Sequence, residues 1–484
     1  MLARTKELTA CAARGSSRDG ESLIESSGSH PSCGRVGAAR CEEAQPKRRK
    51  EESVRVFAVL LTLMIVQSVP GVVAASEAGR TEKGWTARIV GHTAGPSLLI
   101  GVSKKNQQLY LFQQKSPLSL KETFVCTTGE LEGDKYIEGD LKTPEGVYFT
   151  ERRLDSGLDP DLYGKLAYTL NFPNPVDRLK GKTGSGIWIH GRGHALVPRE
   201  TKGCVALYDP DMAQLEPHLD VGLPVVIAED LDWRAGDSTA PPPENLEVLV
   251  KQWALAWQAK SEHFFEFYDS EKFSKAHRTP FKAFRDHKEN LFNRLPWIQV
   301  AANDVVVVPG PDYWVTAFSQ YYRSPHLTSA GVKRLYWQKD EDGALRIVGR
   351  EFREGDAELA RSLEQEYLRQ VTAEMDGFVE GWRASWERGN LDAYVGYYAS
   401  NAEQGGRRGV GAIRDHKISL WKTQAPELVK IEDMRVDMHP QGVQVQFTQK
   451  YAAAGNYSDL GSKTLVVTPS EQGWRILRED WRAL

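Results

Sequence analysis

Polar and apolar positions divide the chain into stretches of different period. Residues 1–50 are rich in Ser, Gly, Arg and Glu, carry no apolar period and end in "KRRK"; such a segment cannot bury enough surface to order itself. Next comes "VRVFAVLLTLMIVQSVPGVVAAS", an apolar run with a basic flank and a small-residue site at Val73-Ala74-Ala75. From about Ser97 to Ile227 short β-runs are broken by Gly and Pro: "SLLIGVS", "QQLYLF", "GVYFT", "GIWIH" and "PVVIA". Only "DPDMAQLEPHL" shows a helical period there. The polar stretch "EDLDWRAGDSTAPPPEN" (229–245) predicts a stiff, proline-rich spacer.

Beyond the spacer the chain repeats itself at a constant offset of 129 residues. Trp253 matches Trp382, Trp257 matches Trp386, Tyr268 matches Tyr397, "RDHK" recurs at 285–288 and 414–417, and "LRIVGREF" matches "WRILREDW". Two copies of one domain follow from this. Each copy opens with Trp at i, i+4 on one helix face and closes with alternating strands, an α+β arrangement. Helix-first order and the closing strand resemble the nuclear transport factor 2 superfamily, which implies a curved sheet wrapped on helices as a cone. The Trp stripes are expected in the core, with a glycan- or peptide-binding cone as the alternative. The "RDHK" clusters are expected on helix surfaces.

Composition is that of a globular protein, with 40% apolar and 26% charged residues and a net charge of −3. Nothing is basic enough to make nucleic acid a partner. The run at 54–75 reads as a signal peptide, or as a membrane anchor, and places the protein in the periplasm or cell envelope. Fifty residues are long for a region ahead of a signal, so a true start nearer Val54 is expected. Cys11, Cys33 and Cys41 precede the signal, leaving Cys126 and Cys204 in the exported part. Those two could form a disulfide, or be one reactive and one inert thiol.

Thirteen residues separate His190 from Cys204. A lone Cys is usually a small apolar residue and a lone His usually satisfied structure, but the setting of this pair favours chemistry. Cys204 sits in the turn-like "ETKGCVAL", where Gly203 lets consecutive amides converge on an oxyanion. His190 ends the strand "GIWIH", which holds an imidazole rigidly beside a thiol. Cys126 lies in the strand-like "ETFVCTTGE", where inert burial is expected. His194, with Arg192 and Arg199, reads as a rim that meets anionic substrate, and Trp188 as packing. Two histidines and one cysteine lack a further ligand at a recognised spacing, so no metal or other cofactor is expected.

His190-Gly191, Gly203-Cys204, "GDLKTPEGVYF" (139–149) and "DPDMAQLEPHLDVGLPVVI" (209–227) together resemble the YkuD-type L,D-transpeptidase catalytic domain. The resemblance covers roughly 96–230 and implies a β-rich fold with Cys204 as nucleophile, His190 as base, the Gly191 carbonyl as ring orienter and Gly203 at the oxyanion site. The family's usual Ser-His-Gly-Cys followed by Arg reads Thr201-Lys202-Gly203-Cys204-Val205-Ala206 here. Lys202 could lower the thiol pKa, pair with a substrate carboxylate or be a solvated loop charge. The "TKGC" variant, joined to a cone-shaped domain, resembles cell-shape-determining L,D-carboxypeptidases.

The expected organisation is thus an extension without fold at 1–53, a signal at 54–75, a catalytic domain at 96–230, a linker at 231–245, and cone-shaped copies at 246–355 and 370–484. The implied function is a cysteine-dependent L,D-transpeptidase or L,D-carboxypeptidase acting on peptidoglycan stem peptides in cell-wall remodelling. The alternative is a degenerate peptidoglycan-binding scaffold that works through its tandem C-terminal domains, which could also engage a cell-envelope protein or a glycan.

Overall fold

A computed structural model of the chain describes residues 84–114, 117–235 and 245–484. The N-terminal extension, the signal-like run and the three consecutive prolines lie outside the described residues.

The β-runs close into an eight-stranded barrel. Around it the order is Leu98–Ser103, Gln108–Gln114, Leu118–Thr127, Val205–Tyr208, Trp188–Arg192, Ala167–Leu170, Gly146–Leu154 and Pro224–Ala228, which returns to the first strand. Alternation sends Ile100, Val102, Leu109, Leu111, Ile189, Val205, Leu207 and Val225 into one core. Most neighbours are antiparallel, but the closing pair Pro224–Ala228 and Leu98–Ser103 runs parallel, and so do Trp188–Arg192 and Val205–Tyr208. A parallel pair cannot be joined by a tight turn. Residues 193–204 therefore travel back along the strands and deliver Cys204 beside the start of the strand that carries His190.

The expected linker begins as structure. Asp230–Trp233 is a strand paired in parallel with Thr86–Ile89, because Trp233 packs its ring against Phe112 at 5.2 Å and leaves only the following residues to span.

The first copy places helices Leu246–Gln258, His263–Glu266, Ser270–His277 and Phe281–Arg294 ahead of a four-stranded antiparallel sheet. The second opens with the 31-residue helix Ala357–Glu387 and ends in a six-stranded sheet. No break separates the copies at 356–369, because Asp356 caps that helix by accepting from the amides of Glu358 and Leu359. Trp253 and Trp382 are buried as expected. Trp253 Nε1 donates to Tyr268 at 3.0 Å and Trp382 Nε1 to Tyr398 at 3.1 Å, so the counterpart of Tyr268 is Tyr398, not Tyr397.

The "RDHK" clusters are not wholly on the surface. Lys288 and Lys417 are buried, with their ammonium groups 4.1 Å above Trp257 and 4.5 Å above Trp386. Position in the helix explains this. Lys288 falls on the stripe Phe281, Phe284, Phe292, and Lys417 on the stripe Val410, Ile413, Trp421, so both are carried inward with their aromatic neighbours.

Barrel and first copy share a core. Val147, Phe149, Val176 and Val226 of the barrel pack with Val308, Tyr313, Val315, Tyr336 and Val348 of the copy.

Candidate active site

The site grows from one strand pairing. Ile189 pairs with Val205 and His190 with Ala206. Ile189, Val205 and Leu207 face the barrel core, so Trp188, His190 and Arg192 share the opposite face. Cys204, one residue before Val205, falls on that same face.

His190 is 2% exposed. Its Nδ1 lies 2.8 Å from the Gly191 carbonyl, and the Tyr163 ring stands edge-on to it at 5.3 Å. With Nδ1–H donating to that carbonyl, Nε2 is the ring nitrogen left to accept a proton. Gly191 is required by close approach: a Cβ there would lie 2.1 Å from Asp209 Oδ1. Burial, assisted by the Arg192 charge, lowers His190 to about 4 against the opposing pull of the Gly191 carbonyl.

Cys204 is a free thiol, partly exposed, whose Sγ donates to the Gly186 carbonyl at 3.4 Å. Burial raises it to about 11, while the Trp188 backbone and the charges of Arg192 and Lys135 work against the rise. Between those two values the resting pair is a neutral thiol and a neutral imidazole, not an ion pair. Cys126 is also free and fully enclosed, and burial pushes its thiol far up. The two cysteines form no disulfide.

Gly203 differs from the oxyanion donor expected there. Its N–H donates to Thr201 Oγ1 at 3.1 Å, and that hydroxyl donates to the Cys204 carbonyl at 2.7 Å. With φ +132, Gly203 shapes the turn while its amide is already engaged.

Among the remaining expected residues, Arg192 stands closest to the pair in effect, since its charge acts on both His190 and Cys204. Its Nη1 lies 3.1 Å from His194 Nε2, and its Nε lies 3.6 Å from Glu200 Oε1. Arg199 turns away to Glu132 at 3.2 Å. His194 is exposed and packs back on the Ala195 carbonyl at 3.0 Å, and Lys202 is exposed on the turn.

Lys135, Tyr163, Thr201 and Asp209 escaped the sequence reading. Lys135 is buried, held by Asp140 at 2.6 Å and the Ile137 carbonyl at 3.1 Å. Its signal is the neighbouring "GD" at 139–140, whose aspartate anchors it. Tyr163 belongs to the four-residue helix Pro160–Tyr163, too short to show a period.

The chain thus joins a barrel, whose thiol and carbonyl-oriented imidazole share one face of a parallel strand pair, to tandem α+β domains, and each part matches a known domain family. Residues 98–227 are an L,D-transpeptidase catalytic domain, and residues 245–351 and 374–480 are two copies of the Cds6 C-terminal NTF2-like domain. YafK of Escherichia coli (strain K12), which bears an L,D-transpeptidase name, is 31% identical over 99 residues. That match spans 20% of this chain and 39% of the length of the relative. Among solved structures, Bdellovibrio bacteriovorus Bd1075 is 27% identical, with TM-score 0.43, over 55% of this chain and 95% of its own. The helical cell shape determining protein Pgp2 from Campylobacter jejuni is 28% identical, with TM-score 0.44, over 53% of this chain and 91% of its own.

Proposed function

We propose that the protein is an exported, cysteine-dependent L,D-transpeptidase or L,D-carboxypeptidase acting on peptidoglycan stem peptides in cell-wall remodelling and cell shape. The observation that carries this reading is the 2.8 Å contact between His190 Nδ1 and the Gly191 carbonyl. It dedicates Nε2 to proton transfer on the face that Cys204 shares.

As Cys204 Sγ bonds to the carbonyl carbon preceding the terminal D-amino acid, His190 Nε2 takes the thiol proton. The imidazolium then gives that proton to the leaving amine as the C–N bond breaks, which leaves a thioester on Cys204. A second stem-peptide amine or a water attacks the thioester and restores the thiol, the first giving a cross-link and the second a trimmed peptide. With the Gly203 amide engaged, the Arg192 and Lys135 charges that favour the Cys204 thiolate would also favour the charge on the tetrahedral oxygen bonded to the same carbon as Sγ. Export rests on the signal-like run at 54–75.

Incubation with tetrapeptide muropeptides tests the reading. Release of D-alanine is expected, with activity falling at least a thousandfold in Cys204→Ala and roughly 10²–10⁴-fold in His190→Gln. A cross-linked product would identify the amine as acceptor. Retention on sacculi with no covalent change would overturn the enzyme in favour of a degenerate, binding-only domain.

A further inference from the structure

Each copy has a groove between its first long helix and the first long strand of its sheet, and the two copies treat it differently. In the second copy Arg383 fills it, bonded to Glu380 at 2.7 Å, Glu387 at 2.8 Å and the Val429 carbonyl at 3.0 Å. At the offset of 129, the first copy has Lys251, Ala254 and Gln258 in place of Glu380, Arg383 and Glu387. With no arginine to occupy it, this groove is part of a cleft of about 550 Å³, walled on its far side by Gln370, Glu374 and Trp474 of the second copy. That volume lies within the ordinary range of small-ligand sites. Neither copy forms the cleft alone.

We propose that the cleft between the copies binds a neutral oligosaccharide of amide-bearing sugars. Trp474 supplies a half-buried ring whose orientation is fixed, because its Nε1 donates to Glu374 Oε2 at 2.7 Å. A fixed aromatic face packs against the C–H face of a sugar ring. Asn303 Nδ2, in the opposite wall on the first copy's strand Gln299–Pro309, is buried with no hydrogen-bond partner among the described residues. An unmet buried donor is costly, and a sugar hydroxyl or acetamide oxygen would satisfy it. Lys251 and Glu374 are the charged side chains lining the cleft and they balance, which disfavours a polyanion or polycation. Leu255, 62% exposed and lining the cleft, offers apolar area for a bound chain to cover, where the second copy has Ala384. This inference goes beyond the thiol chemistry and does not depend on it.

Titration of the full chain with N-acetylchitotetraose, followed by tryptophan emission and calorimetry, tests it. Saturable binding is expected, equal in Cys204→Ala, so failure of the thiol reading leaves this result untouched. Trp474→Ala and Asn303→Ala are each expected to weaken binding roughly tenfold or more. Ala254→Arg, which installs the residue that fills the second copy's groove, is expected to abolish binding with an unchanged circular dichroism spectrum. If that variant misfolds, the two alanine variants carry the test. Absence of saturation up to about 5 mM sugar would overturn the proposal. So would binding that none of the folded variants alters, or a cleft that takes a free tetrapeptide in preference to the sugar.

Discussion

Burial drives Cys204 and His190 apart in acidity, and Arg192 acts on both at once. It favours the thiolate and disfavours the imidazolium, but at the thiol burial outweighs it, so the pair rests as a neutral thiol and a neutral imidazole. A thiol raised to about 11 carries roughly a hundredfold less thiolate at neutral pH than an ordinary cysteine. Alkylation of Cys204 by iodoacetamide, read by mass spectrometry, should therefore be slow at pH 7 and climb steeply towards pH 11. It should be slower still in Arg192→Ala, which removes a cation that favours the thiolate. A rate already at plateau below pH 8 would mean an ion pair at rest and would sink this account. The imidazole gives the acid limb. A base lowered to about 4 stays unprotonated through pH 5–6, so turnover should persist there and fall only as pH approaches 4. Stability follows the same sign. The unfolded histidine takes up its proton near 6.5 and the folded one only near 4, so this contribution is full above 6.5 and lost as pH falls through 4.

At the scale of elements, the last strand of the second copy carries a buried charge cluster. Glu479 on Arg475–Ala483 meets Lys463 on Tyr457–Thr468, the Tyr398 hydroxyl, and Gln404 Nε2 at 2.7 Å. Burial pushes the Glu479 carboxyl up, but the charges of Lys463 and Lys417 and the bonds to it prevail and bring it to about 2. Lys417, desolvated and close to Lys463, is lowered to about 8 despite Glu479. Glu479→Gln leaves two buried lysines without their counter-charge and should cost about 3–5 kcal/mol, read as a lower denaturation midpoint. A change under about 1 kcal/mol would mean that water already reaches the cluster. The wild-type contribution of Glu479 is present above pH 4.5 and lost as pH falls through 2. Period and offset made the copies, their helices and their strands legible, since alternation needs only a buried face. The inward position of Lys417 follows from phase, because Val410, Ile413, Lys417 and Trp421 make one stripe, and the ring of Trp386 compensates its buried charge. Tyr398 escaped because the bond from Trp382, not the constant offset, decides which tyrosine turns inward. At the thiol site, the glycine turn before Cys204 was readable, whereas His190, expected at a strand end, lies in the middle of the strand Trp188–Arg192 because pairing with Val205–Tyr208 continues past it. The Thr201 bond that takes the Gly203 amide was not readable, because it depends on how the loop closes in space.

For the whole molecule, the proline-rich stretch suggests independent domains, whereas the packing fuses the barrel to the first copy. Tyr313 of the copy accepts the Val147 amide at 2.8 Å inside the shared core. Barrel residue Asn171 donates to Tyr336 at 3.0 Å and Glu351 at 2.9 Å, and Arg334 lies 4.1 Å over the Phe149 ring. Gly349 meets Pro175 so closely that a Cβ would stand 2.2 Å from the proline's own. A barrel cut free at residue 235 would expose Val147, Phe149, Val176 and Val226, which are at most 1% exposed in the full chain. Each fully exposed side chain of this kind costs about 1.5–3 kcal/mol, so four of them rival the stability of a whole domain. A chain ending at 235 should therefore aggregate or lack a cooperative transition, and one ending at 355 should melt as a single unit. Tyr313→Phe in the full chain tests the same fusion without truncation. Leaving the buried Val147 amide without its acceptor should cost about 1–3 kcal/mol, and the loss should register both in hydrogen exchange of the barrel strands and in the emission of the first copy's tryptophans. Loss confined to one side, or a soluble barrel ending at 235 that melts at the full-length temperature, would show instead that the two domains fold separately and only touch.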